Sequence, residues 1–248
     1  MKRFFYTILL ILSISALGPL LVLWQGEVDF STSNWRDAKN DSAQIAPDPK
    51  QHPEALVQVY AARVFNWRGL FAVHTWIAVK PQDAAHYTRY EVINWRRYEG
   101  LPLVAIEQDL PDRHWFGNKP ELLLSLAGAE AQEMIAQIDS AARAYEYQHT
   151  YHYWPGPNSN TFIADMARQV PAMKLVLPGN AVGKDYLALK EFWARAPSGT
   201  GYQLSLGGVV SIMLAYEEGL EINFLGLVYG ISPATRTLKF PGIGDIRF

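Results

Sequence analysis

The chain has 248 residues, a formal charge of −2 and no cysteine. That charge implies no basic face and excludes nucleic acid as the expected partner; the missing thiols exclude a cysteine nucleophile, a cysteine-bound zinc and any disulfide framework. Hydrophobic residues at 49% and aromatics at 13% supply enough apolar surface for a packed core, which excludes a disordered chain.

Met1-Lys2-Arg3 precedes an uncharged run from Phe4 to Trp24. As a helix rising ~1.5 Å per residue, that run would cross a hydrocarbon core ~30 Å thick. The pattern predicts a transmembrane anchor over 1–26, with the lipid bilayer as partner of residues 4–24. The two cations before the run keep the N-terminus in the cytoplasm. The expectation is therefore a single-pass protein of the inner membrane with its globular part in the periplasm or extracytoplasmic space. A cleavable signal peptide shares the basic start, but no A-x-A site follows Leu23-Trp24-Gln25-Gly26. Residues 27–53 are polar and proline-containing and read as a juxtamembrane linker; 54–248 then form a single globular domain.

Within that domain Leu56 to Val64 reads as a strand. Leu70 to Lys80 and Tyr87 to Trp95 form a hairpin across the loop Pro81 to His86. Pro102 to Trp115 is loop-like. Apolar residues from Leu123 to Tyr145 recur at helical spacing, predicting a helix from Glu121 to about Tyr145. A second helix is predicted from Ser159 to Gln169, ended by Pro171. Helices are also expected over Asp185 to Ala194 and Gly207 to Tyr216, and strands over Glu221 to Gly230 and Thr237 to Phe240. The order predicts an α+β fold.

Two features could carry chemistry. In Trp154-Pro155-Gly156-Pro157-Asn158-Ser159-Asn160-Thr161-Phe162, four polar residues open a helix. Such a start offers unpaired N–H groups and the positive end of the helix dipole, an environment for a nucleophile or an oxyanion. A well-capped structural helix would show the same string. In the hairpin, His74 interrupts an apolar strand. If Lys80 pairs with Tyr87, Glu91 is the diagonal neighbour of His74 on one sheet face and could accept the Nδ1 proton. His114, His149 and His152 are the remaining metal-ligand candidates, but their aromatic neighbours and the absence of ligand spacing predict no metal and no cofactor. Arg96-Arg97 reads as a solvated strand end.

The strings Val73-His74-Thr75-Trp76-Ile77-Ala78-Val79-Lys80 and Trp154 to Phe162 resemble those of a bacterial membrane-anchored family of unknown function. More remotely, a strand histidine followed by Asn158-Ser159-Asn160-Thr161-Phe162 resembles the Asn-Cys-x-x-Phe motif of circularly permuted papain-like domains, the NlpC-type peptidases and the lecithin retinol acyltransferase group. That resemblance implies a permuted papain-like domain, an antiparallel sheet packed on helices, with a C-terminal β-rich extension. It implies Ser159 as nucleophile, His74 as base and Glu91 as orienting residue, with His86 as the other candidate for that third role. Asn158, Asn160, Thr161, Trp154 and Tyr153 would line the substrate site. The implied activity is hydrolysis or acyl transfer at amide or ester bonds of cell-wall peptides or lipids. Serine in place of cysteine departs from the motif, because a hydroxyl needs its base in direct contact. The alternative is a catalytically silent binding module for a cell-envelope peptide or lipid.

Overall fold

A computed structural model describes residues 2–31 and 34–248. The chain opens with helix α1, Lys2–Gln25. Strand β1, Leu56–Arg63, is followed by the hairpin β2, Val73–Lys80, and β3, Thr88–Val92, then by β4, Val104–Gln108, and β5, Glu121–Ala127. Helices α2, Ala129–Ala144, and α3, Ser159–Gln169, come next. Seven strands complete the chain: β6 (Trp193–Arg195), β7 (Gly201–Leu206), β8 (Val210–Ala215), β9 (Gly219–Phe224), β10 (Leu227–Ser232), β11 (Thr237–Phe240) and β12 (Gly244–Arg247).

These strands make two antiparallel sheets, ordered β4-β3-β2-β1-β5 and β12-β11-β10-β9-β8-β7-β6. The architecture corrects the expected fold class: there are two sheets with few helices, not a papain-like domain behind an anchor. The apolar run read as an anchor begins with side chains (residues 4, 5, 7, 8, 11 and 12) that lie outside the described residues. Among the described residues no helix is long and apolar enough to cross a membrane, which overturns the expected transmembrane helix and the single-pass inner-membrane placement. The second half of α1 packs on the body. Ser15 Oγ meets the Tyr229 hydroxyl at 2.5 Å, Val22 is fully buried, and a Cβ on Gly18 would collide with the Pro241 carbonyl.

Four further expectations fail. The helix expected from Glu121 begins at Ala129; before it, Glu121–Ala127 pairs as an edge strand with β1, and Gly128 at φ 81° makes the break. Gly207 to Tyr216 is no buried helix but a turn and β8, in which Ser211, Met213 and Ala215 face inward and Ile212 and Leu214 outward. Because both faces carry apolar residues, the period-2 signal is hidden. Asp185 to Ala194 is irregular until β6 begins at Trp193, and β4 forms inside the segment read as loop.

The main core lies between the first sheet and helices α2 and α3. Met134, Ile135 and Ile138 of α2 and Phe162, Ile163 and Met166 of α3 pack on Val57, Val59, Val73 and Ile77. Helix α2 buries one stripe at i, i+3, i+4 spacing, whereas α3 is buried on nearly every side, and that burial is the source of their stability. On the sheet's opposite face a smaller cluster gathers Tyr60, Trp76, Ala78 and Trp115. The second sheet is built the other way round. Its inner face carries Gln203, Glu221, Asn223 and Lys239, all buried, while Leu204, Ile212 and Ile222 line up across β7, β8 and β9 on the outside.

Candidate functional site

The hairpin register sets the first polar cluster. Val79 pairs with Thr88 and Ile77 with Tyr90, so Glu91 falls diagonal to His74, as the spacing predicts. His74 Nε2 lies 3.0 Å from Glu91 Oε2, so the carboxylate meets Nε2 and not the expected Nδ1. The imidazole stacks on the Trp115 ring with centroids 3.7 Å apart. Arg89 Nη2 stands 3.0 Å from Glu91 Oε1 and its guanidinium lies over Trp76; Arg113 binds Asp109 Oδ2 at 2.7 Å. Burial by itself pushes the Glu91 carboxyl up, but Arg89, His74 and Arg113 outweigh it and hold it at about 2. For His74 burial dominates and lowers its proton affinity against the pull of Glu91. The ring is therefore neutral and donates Nε2–H to the carboxylate. It is a closed ion cluster under two tryptophans.

The second predicted element lies across the sheet. Thr75 Oγ1 donates to Asn160 Oδ1 at 2.8 Å, and Asn160 Nδ2 donates to the carbonyls of Val73 and Val182. Asn158 is the N-cap of α3: its Oδ1 accepts from the Asn160 and Thr161 N–H groups, and its Nδ2 reaches the Tyr153 and Val182 carbonyls. Thr161 completes the capping box by accepting from the Asn158 N–H and donating to the Gly183 carbonyl. Side chains alternate across a strand, so Thr75 faces α3 while His74 faces Trp115. The sheet thus separates His74 and Glu91 from Ser159, which sits buried in the first turn of α3. The structure brings His74 to Glu91 and joins Asn158, Asn160 and Thr161 into one lock; it does not bring Ser159 to His74.

The other predicted positions are scattered. Tyr153 and Trp154 stand on the surface, where the Tyr153 hydroxyl accepts from Asn94 Nδ2. His86 lies in the loop before β3, away from the Glu91 cluster's hydrogen bonds. His114 Nδ1 is engaged by Asp41. Among the described residues no group of three His, Asp or Glu side chains could hold a metal ion.

A site that the residue patterns did not single out lies between the two sheets. A cleft of about 1310 Å³ runs between the edge strand β5, the segment 26–30 after α1, and the other sheet's edge strand β12. At its base Arg63, the last residue of β1, donates to the Gly242 carbonyl at 2.5 Å and to Glu27 Oε2 at 2.5 Å. Beside it Asn180 is 5% exposed and gives Nδ2 to the Ile243 carbonyl, while its Oδ1 has no partner. Gly244 leaves no room for a side chain there, since its Cβ would stand 2.8 Å from the Asn180 amide. The walls carry both signs of charge, Lys119 and Glu121 on one side and Asp245 and Arg247 on the other. The one sequence signal for this site is a buried arginine closing an otherwise apolar strand; Asn180 sits in an irregular loop that no period marks.

A sequence model described as a protein of unknown function, DUF3750, matches residues 54–186. No curated protein and no solved structure matches the chain.

Proposed function

The chain belongs to the DUF3750 family, whose function is unknown, and we propose that it is a binding module for an extended peptide held in the cleft between β5 and β12. The carrying observation is a large cleft lined by side chains of both charges, with β5 exposed or half-exposed along its whole length at one wall. The neighbouring β5 is an edge strand, and edge strands present main-chain groups to which an extended chain can pair. Walls with cations and anions facing each other suit a polymer carrying both. A serine hydrolase would instead need a base beside Ser159, and the sheet stands between that residue and His74.

Selection of a displayed random decapeptide library on the immobilised full chain tests the reading. Enriched peptides should bind the wild type and lose about tenfold or more in affinity to Glu121→Lys, which reverses an exposed charge on the β5 wall of the cleft. Lys119→Glu, on the wall, should shift the charge pattern of the selected peptides. Failure to enrich any sequence, or binding indifferent to both variants, would overturn it.

A further inference from the structure

The second sheet places its polar residues inward and its apolar residues outward, and one buried ion cluster holds it that way. Glu221 accepts from Lys184 and from Lys239 on the inner face, and all three side chains are shut off from solvent. A slip of one residue in β9 would expose this cluster and send Ile222 inward, so the register cannot relax to hide the apolar face. On the outside, Tyr202, Leu214 and Leu220 form one rung across β7, β8 and β9, and Leu206, Val210 and Phe224 form another. Exposure of the large side chains on these rungs runs from 42% at Leu220 to 67% at Leu214, with Val210 half-buried between its neighbours. With about half of each large side chain open, these strands present on the order of 900 Å² of contiguous apolar surface. The largest patch on an ordinary monomer is roughly 300–600 Å².

We propose that this face is the contact between two copies of the chain, which pack β7–β9 against β7–β9 about a two-fold axis. The area matches: a standard stable interface needs roughly 800 Å² from each partner. The chemistry matches too. No outward position of β7, β8 or β9 is charged, so the face meets its own copy with no repulsion and no stranded ion. Two apolar sheet faces packed ~10 Å apart is the ordinary arrangement of a β-sandwich. The bare strip also continues a contact that already exists. At the β10–β11 end of the same face α1 covers the outward side chains, with Ser15 on Tyr229 and Gly18 against Phe240. A second copy would cover the remainder as α1 covers that end.

Sedimentation velocity of the full chain, without detergent and over a range of micromolar concentrations, tests the proposal. The wild type should sediment at twice the chain mass. Leu214→Lys and Ile222→Glu should each weaken the dimer at least a hundredfold, while Leu214→Ile keeps it; circular dichroism and thermal melting confirm that each variant is folded. If a variant fails to fold, Tyr202→Lys, at the rim beside Trp193, should weaken the dimer in its place. A monomeric wild type, aggregates without fixed stoichiometry, or dimers unaffected by folded charge variants would overturn the proposal. So would a monomer that floats with vesicles of phosphatidylethanolamine and phosphatidylglycerol, because that result makes the occupant a lipid surface. The peptide assay on Glu121→Lys reads a different face, so each proposal can fail without the other.

Discussion

His74 and Thr75 are adjacent in sequence and bonded on opposite faces of the first sheet. His74 gives its Nε2–H to Glu91 under Trp115, whereas Thr75 gives its hydroxyl to Asn160 at the head of α3. A strand turns successive side chains by half a rotation, so whatever α3 holds is screened from the histidine by the backbone of β2. The consequences of that separation can be measured.

Ser159 should be unreactive toward serine-hydrolase probes. A hydroxyl without an imidazole in contact has no general base to take its proton. A fluorophosphonate should label wild type and Ser159→Ala equally, and the alanine variant should remain folded, since alanine is a good residue for a first helical turn. Labelling that disappears in the variant would restore a catalytic serine.

Glu91→Gln should destabilise the fold by about 3–5 kcal/mol in denaturant titration. The change removes the buried carboxylate between Arg89 and Arg113 and leaves the half-buried Asp109 as their one remaining shared counter-ion. Substituting the charge partners together, Glu91→Leu with Arg89→Met, should cost less than Glu91→Gln alone. A surface-like loss below about 1 kcal/mol would mean that the cluster is hydrated.

Acid should weaken the protein in two steps of the same sign. His74 has its proton affinity lowered in the fold, so the unfolded chain binds the proton first as pH falls below about 6.5 and stability drops from there. Glu91 is held at about 2, against an ordinary value of 4.5, so its contribution is complete above 4.5 and is lost as pH falls toward 2. Thermal melting from pH 8 to pH 2 should show both losses, and His74→Gln should flatten the upper one. An identical upper slope in that variant would assign it elsewhere.

Asn160→Ala should cost about 3 kcal/mol, because it strands the buried Thr75 hydroxyl and takes the amide donor from the Val73 carbonyl, while Asn158 still serves the Val182 carbonyl. Asn158→Ala, a lost N-cap, should cost about 1–2 kcal/mol. Equal, small losses at both would show that the helix head is held by α3's apolar stripe alone.

The buried triad of the second sheet should behave as a register pin. Glu221→Gln should lower stability by about 3 kcal/mol or more and speed amide exchange in β9 and β11, because Lys184 and, in β11, Lys239 lose their shared partner. Unchanged exchange in those strands would remove the pin.

The local chemistry of the chain determined much on its own. Asn158 and Thr161 specify the start of α3, because their side chains meet groups within one turn. The alternation of β2 and β3, with the loop between them, fixed the register that sets Glu91 diagonal to His74. Both depend on neighbours only a few residues away. Other features depended on contacts distant in sequence. An apolar run of α1's composition reads the same whether lipid or protein covers it, and only the fold shows that Ser15 meets Tyr229 and Gly18 meets Pro241. The face on which α3 lands is set by Val73, Ile77 and the helix stripe together, and that choice separated Ser159 from His74. Strand β8 was hidden because small and large apolar residues alternate without a polar face. The cleft joins Arg63, Asn180 and Gly244 from three separate segments. The sequence by itself determined which groups could bond locally; the tertiary structure alone decided which of them share a face, because sheet sidedness is settled by the packing of remote elements.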